Sequence, residues 1–121
     1  MEEKRMLDER PLEYGARIVR LVGSLPKSLA GKRIGDQLLR SGTSAGANYE
    51  EAQGAESKDD FVHKLHISLK ELRESNYWLR MLVQSGMVPA QRMASPLDES
   101  DQLRAMLSKV LATAKGKAKR S

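Results

Sequence analysis

The chain has 121 residues, of which 40% are hydrophobic and 31% charged, and its formal net charge is +5 at pH 7. This length suits one domain, and the absence of cysteine excludes disulfides and thiol chemistry. No apolar run approaches membrane-spanning length, so we expect a cytoplasmic protein without a signal peptide or membrane anchor.

The first segment predicts an amphipathic helix that opens near Pro11 and stops before Pro26. Proline is favoured at the first helical position because its missing N–H is not needed there. Arg17 and Arg20 lie off the apolar face and are interpreted as solvated. The apolar face comprises Tyr14, Ile18, Leu21 and Leu25, widened by Val19 and Val22.

The stretch of residues 40–52 fits two alternatives, of which the first is a hydrolase. Residues 42–46, Gly-Thr-Ser-Ala-Gly, match G-x-S-x-G, the nucleophile elbow that exposes a serine on a strand-to-helix turn. The residues before it have helical spacing and no β-branched run, and the chain is too short for an α/β-hydrolase sheet. The hydrolase is therefore disfavoured.

The second alternative is a helix, which the polar residues of this stretch favour. Spacings of three, four and three place them on one stripe: Ser41, Ser44, Asn48 and Glu51. Gly35, Gly42 and Gly46 each cost about 1 kcal/mol relative to alanine inside a helix. We therefore predict a second helix from about Lys32 to Gly54, with another helix close to its glycines. Its packing side comprises Ile34, Leu38, Ala45 and Ala52.

A third helix is predicted from Lys58 to about Ser85, with Ser57 as its N-cap and Gly86 as its stop. Its residues 77–83 are apolar on nearly all sides, which a single bundle core does not require. This pattern indicates a subunit interface. The candidate interface residues are Tyr77, Trp78 and Met81.

A fourth helix is predicted from an N-cap at Ser95 and a first-position Pro96, after a linker that runs through Met93. The helix is expected to fray near Lys115. Residues 1–114 would then form the domain, and residues 115–121 a basic, disordered tail. The candidate phosphate contacts of this tail are Lys115, Lys117, Lys119 and Arg120.

Two further clusters of polar side chains are interpreted as structural or surface groups rather than as functional sites. His63 and His66 lie near two aspartates on one helix, but a single carboxylate-x-x-His step does not make a di-metal bundle site, so no metal is expected. Glu71 and Glu74 could be paired catalytic acids, but a structural role is favoured. The predicted structural polar network comprises Arg40, Ser44, Asn48, Glu51, Glu71 and Glu74.

Two blocks of sequence resemble a known family. Residues 37–52, Gln-Leu-Leu-Arg-Ser-Gly-Thr-Ser-Ala-Gly-Ala-Asn-Tyr-Glu-Glu-Ala, form the first block, and residues 57–64 with 70–79 form the second. They resemble the signature of the bacterial four-helix bundle proteins, relatives of which are encoded in intervening sequences of large-subunit ribosomal RNA genes. The likeness covers about Leu12 to Gly86, with a looser match through Leu111. Ala45 and Asn76 depart from the family pattern, and the polar Asn76 could loosen or specify an oligomer interface.

The resemblance implies an all-α, up-down-up-down antiparallel four-helix bundle that assembles as a ring-shaped homopentamer. It also implies kinship with the accessory variability protein of diversity-generating retroelements, a basic pentamer that binds a reverse transcriptase and nucleic acid. No enzymatic activity comes with the family.

Two hypotheses about function stand. The first is a non-enzymatic, homo-oligomeric module that binds RNA or DNA and a partner protein such as a reverse transcriptase. The second is a structural or protein-interaction bundle whose positive charge has no role with nucleic acid. Neither hypothesis involves a cofactor or a membrane.

Overall fold

The computed structural model describes the backbone of residues 2–120 and the side chains of residues 8–116, and in that part the chain forms helices and no strands. The helices are α1 Glu2–Gly23, α2 Leu29–Gln53, α3 Lys58–Gln84 and α4 Ala90–Arg120. Each helix packs against its neighbour in the chain, and α1 also packs against α4. The predicted all-α bundle of four helices is confirmed.

The ends of the two middle helices follow from their capping residues. Ser28 precedes α2 and accepts a hydrogen bond from the Gly31 N–H at 3.1 Å. Ser57 precedes α3 and accepts one from the Asp60 N–H at 3.0 Å. A side-chain acceptor at this position satisfies an N–H group that has no partner within the helix. The predicted bounds of α3 are confirmed, and α2 begins three residues earlier than predicted.

Both prolines that were predicted to start helices lie inside them instead. Pro11 lies within α1, which begins at Glu2, and Pro96 lies within α4, which begins at Ala90. The predicted linker through Met93 is therefore wrong, and Met93 is fully buried. A proline inside a helix costs about 3 kcal/mol because a hydrogen bond is lost and the ring crowds the preceding turn. Both rings are buried, so packing in the bundle offsets part of this cost.

The core is built from the inward faces of all four helices. Val19, which was expected to widen the apolar face of α1, is 50% exposed. The fully buried large side chains are Tyr14, Ile18, Leu38, Leu65, Leu72, Leu79, Leu82, Met93, Leu103 and Leu107.

Residues 40–52 lie within α2, so Ser44 is in the middle of a helix and the nucleophile elbow does not form. The glycines of this stretch face α1. A Cβ atom on Gly42 would lie 2.9 Å from Ile18 Cγ1, and one on Gly46 would lie 3.1 Å from the Pro11 carbonyl oxygen. Both distances are shorter than ordinary van der Waals contact, so the predicted close approach of a neighbouring helix is confirmed.

The last helix extends beyond the predicted end of the domain. It continues to Arg120 rather than fraying near Lys115, whose side chain is exposed. The side chains of Lys117, Lys119 and Arg120, and Ser121 as a whole, lie outside the described residues. None of the described helices combines the length and apolarity needed to span a bilayer.

Candidate nucleic-acid interface

Arg40 on α2 connects to two carboxylates on α3. Its Nη1 atom donates to Glu71 Oε2 at 2.9 Å, and its Nη2 atom donates to Glu74 Oε2. Trp78 Nε1 donates to the same Glu74 oxygen at 3.0 Å. Each carboxylate thus accepts from a cation, an arrangement typical of a structural ion pair rather than of a catalytic acid with an available proton.

The other three residues of the predicted polar network do not join this cluster. Asn48 donates to the Ser44 backbone carbonyl at 2.9 Å, which is a bond within α2. Glu51 pairs with Lys64 at 3.0 Å, and 64% of its side chain is exposed. The prediction of a buried network that joins helices through Ser44, Asn48 and Glu51 is therefore wrong, because Asn48 bonds within α2 and Glu51 joins α2 to α3 only through an exposed pair with Lys64.

A buried polar layer that sequence reasoning missed connects α1, α3 and α4. The Tyr14 hydroxyl lies 2.8 Å from Ser75 Oγ, and burial raises the pKa of Tyr14 above its usual value. Asn76 Nδ2 donates to Ser100 Oγ at 3.2 Å, while Asn76 Oδ1 accepts from Arg80 Nε at 3.0 Å. Asn76 is 5% exposed, so its polar groups are satisfied inside the chain's own bundle. Throughout residues 8–116, no buried side-chain N or O atom lacks a hydrogen-bond partner.

The predicted interface residues form a partly exposed aromatic patch on α3. The Tyr77 side chain is 45% exposed, and Trp78 and Met81 are half-buried. The Tyr77 and Trp78 rings meet edge to face with centroids 5.0 Å apart. The Arg80 guanidinium carbon lies 5.8 Å from the Tyr77 ring centroid, a distance that suits a cation–π contact.

Positive charge is concentrated at one end of the bundle. Residues 17–36 and 85–97 meet there, because Arg17 Nη2 donates to Ser95 Oγ at 2.8 Å and Arg92 Nη2 donates to Ser24 Oγ at 3.0 Å. The only acidic residue in these two segments is Asp36. We call their basic residues the basic end: Arg17, Arg20, Lys27, Lys32, Arg33 and Arg92.

The positive charge of the basic end comes from its side chains rather than from helix dipoles. Helices α2 and α4 begin at this end, and α1 and α3 end there. A helix carries the equivalent of about +0.5 elementary charge at its N-terminus and about −0.5 at its C-terminus, so these helix ends offset one another. Elsewhere among the described side chains, acidic residues outnumber basic ones. The fold therefore concentrates positive charge on one surface, whereas sequence reasoning interpreted Arg17 and Arg20 as merely solvated.

The described side chains show no other centre of chemistry. His63 and His66 are both exposed, and no group of three or more His, Asp or Glu side chains within residues 8–116 could hold a metal ion.

Comparison with known proteins places the chain in a family. Residues 9–109 match the 23S rRNA-intervening sequence protein family. The chain belongs to this family. A crystal structure of a protein of unknown function from the S23 ribosomal protein family of Bacteroides thetaiotaomicron VPI-5482 is 35% identical, with a TM-score of 0.82. The likeness covers 87% of this chain and 97% of that one. No curated protein matches the chain.

The family membership confirms the resemblance drawn from residues 37–52 and the second block. The similar crystal structure shows that the bundle recurs in a protein of another sequence.

Proposed function

We propose that this member of the family is a non-enzymatic, homo-oligomeric bundle that binds RNA or DNA through its basic end. The observation that carries the proposal is the meeting of six Lys and Arg residues around a single acidic residue, Asp36. Lys and Arg bind nucleic acid largely by displacing the counterions of its phosphates. Exposed Lys115, together with Lys117, Lys119 and Arg120, would form a separate group of phosphate contacts, because α4 begins at the basic end and runs away from it.

We further propose that the bundle has up-down-up-down antiparallel topology and assembles as a ring, as a homopentamer. The order of contacts supports the topology. Ile18 faces Gly42, while the earlier Pro11 faces the later Gly46. Likewise Arg40 meets Glu71, whereas the later Glu51 meets the earlier Lys64. The partly exposed aromatic patch supports association with other copies, since an apolar surface of this kind is stabilised by burial. A partner protein such as a reverse transcriptase belongs to the same proposal.

Salt-dependent binding tests the role of the basic end. One variant neutralises Lys27, Lys32 and Arg33 to glutamine, and a matched control neutralises the same number of exposed charges on α3: Lys58, Lys70 and Arg73. Dissociation constants for a duplex are measured by gel shift between low and physiological salt. Each lost phosphate contact should make the negative slope of log K against log salt shallower by about 0.9. The slope of the first variant should therefore be shallower than that of the wild type by up to about 3.

The control variant should keep the wild-type slope, because its three charges lie away from the basic end. Equal losses in both variants would mean that overall charge, rather than the basic end, governs binding. That result would contradict the proposal.

The second candidate is a protein-interaction bundle with no role in nucleic-acid binding. The 45% exposure of Tyr77 favours it, because an exposed aromatic ring suits a contact with another protein. An oligomeric wild-type protein that binds neither RNA nor DNA at low salt would establish this alternative over the first.

A further inference from the structure

A groove on the seam between α1 and α4 concentrates three of the arginines of the basic end. Its volume is about 330 Å³, which is within the size range of small-molecule sites. The lining residues are Arg17, Arg20, Leu21, Ser24, Arg92 and Pro96. No carboxylate lines this groove, and within residues 8–116 none of its three arginines forms a salt bridge.

Serine hydroxyls from the opposite helix hold two of the arginines in place. Ser95 on α4 accepts from Arg17 on α1, and Ser24, which follows α1, accepts from Arg92 on α4. Ser24 in turn donates to the Leu21 carbonyl at 2.7 Å, which fixes its hydroxyl. Each serine uses one guanidinium nitrogen, so the other N–H groups of each guanidinium can donate to a ligand in the groove. Orienting the arginines beforehand reduces the entropy that binding would cost.

The next groove along the same seam is lined mainly by acidic rather than basic side chains. That groove is lined by Glu9, Arg10, Glu13, Tyr14, Arg17 and Glu99. Arg10 there is engaged, since its Nη2 atom pairs with Glu99 Oε1 at 2.7 Å. A polyanion that continued along the seam from the arginines would therefore meet Glu9 and Glu13, which repel it. The arginine-lined groove therefore suits the charged end of a polyanion better than the middle of a polyanion that continues along the seam.

We propose that the arginine groove binds the terminal phosphate monoester of a nucleic-acid strand, an inference that rests on the proposed nucleic-acid binding. A phosphate monoester carries about −1.5 to −2 charges at pH 7 and has three acceptor oxygens. Three guanidiniums more than neutralise that charge, and each can donate two hydrogen bonds to those oxygens. An internal phosphodiester carries a single negative charge, and its chain leaves in both directions, one of which leads to the acidic groove.

Oligonucleotides that differ only in their ends test this proposal. A labelled 12-nucleotide RNA is prepared with a 5′-phosphate, with a 3′-phosphate and with hydroxyls at both ends, and each is titrated with the full-length protein by fluorescence anisotropy at fixed salt. At least one of the two phosphorylated RNAs should bind about tenfold more tightly than the RNA with hydroxyls at both ends, which is a difference of about 1.4 kcal/mol in binding free energy. Arg92→Gln and Arg17→Gln should each abolish most of this preference, whereas Arg73→Gln on α3 should retain it.

The outcomes distinguish failure of the groove proposal from failure of the proposed nucleic-acid binding. Equal affinity for all three RNAs would overturn the groove proposal and leave nucleic-acid binding intact. No binding of these RNAs, or of DNA oligonucleotides of the same sequence and ends, would overturn both. Adenosine 5′-monophosphate is titrated alone as a further arm. If it binds as tightly as the phosphorylated RNA, the groove recognises a free nucleotide, and the assignment to a strand end is overturned. Circular dichroism melting of each variant confirms that the bundle is folded.

Discussion

Tyr49 on α2 donates its hydroxyl hydrogen to Asp8 Oδ1 on α1 at 2.7 Å, and the residue is 3% exposed. Burial is the main cause that raises the pKa of this phenol above its usual value of 10, and the hydrogen bond to Asp8 raises it further. The folded protein therefore keeps the phenol protonated at a pH at which the unfolded chain loses the proton. Its stabilising effect is full below about pH 10 and declines as the pH rises above that value.

We expect a Tyr49→Phe variant to resist alkaline destabilisation better than the wild type. Between pH 9 and pH 11 the free energy of unfolding of the wild type should fall by up to about 1.4 kcal/mol more than that of the variant. Urea denaturation at both pH values measures this difference, and a constant offset from the lost hydrogen bond cancels in the comparison. Parallel pH curves for the two proteins would rule out this role of Tyr49.

At the scale of single residues, spacing predicted which side chains share a stripe but not how deeply the stripe is buried. Asn48 bonds within its own helix, whereas Asn76, interpreted as a possible influence on an oligomer interface, is buried between α3 and α4. The helical period is the same in both cases. The depth of each residue depends on where the neighbouring helix lies, which one helix alone does not specify.

At the scale of helices, α3 was predictable because Ser57 and Gly86 mark its ends, and Gly54 marked the end of α2. The start of α2 was predicted three residues late because Ser28 was not identified as its N-cap. Helices α1 and α4 were predicted too short for a common reason. Pro11 and Pro96 were assigned to first helical positions, where proline costs least, yet tertiary packing holds both inside longer helices. Local preference was overridden by burial of the rings.

Two glycine-to-alanine changes should have opposite effects on stability, because Gly42 lies in the contact between α1 and α2 whereas Gly116 on α4 has open space around it. Gly42→Ala would place a Cβ 3.1 Å from the branched Cβ of Ile18, which cannot turn away. Overpacking costs about 1–3 kcal/mol and the gain in helix propensity offsets about 1 kcal/mol, so the variant should lose up to about 2 kcal/mol of stability. The control Gly116→Ala, with open space around its Cβ, should gain up to about 1 kcal/mol.

Thermal and urea denaturation of the two variants measure these changes. A Gly42→Ala protein at least as stable as the wild type would mean that α1 and α2 can move apart without cost.

At the scale of the whole molecule, the aromatic patch on α3 predicts the behaviour of an assembly. Met81 is half-buried beside Tyr77 and Trp78. Replacing it with a charged residue should dissociate a complex that buries this patch. We therefore expect Met81→Glu to be monomeric by light scattering while retaining its helical circular dichroism, with Arg73→Glu as a control that stays assembled. Tyr77→Glu, at a more exposed position, should act in the same way. If both patch variants keep the wild-type mass, the interface lies elsewhere.

The charge distribution of the molecule could not be predicted because it depends on which distant segments meet. Residues 17–36 contain five basic residues and residues 85–97 contain only Arg92, so the sequence does not show that the two segments share one charged surface. The concentration of charge at the end of the chain is visible in the sequence, which is why Lys115, Lys117, Lys119 and Arg120 were predicted as phosphate contacts. The fold adds the basic end by bringing the α1–α2 and α3–α4 connections together.

The seam between α1 and α4 also has a consequence for the order in which the chain folds. Among the described residues it is the least extensive of the four helix contacts, and it joins residues such as Arg17 and Ser95 that are far apart along the chain. Contacts between helices adjacent in the chain close shorter loops and cost less entropy, so this seam forms late in folding and opens early in unfolding. Because the arginine groove exists only when the seam is closed, a ligand held there ties the two terminal helices together.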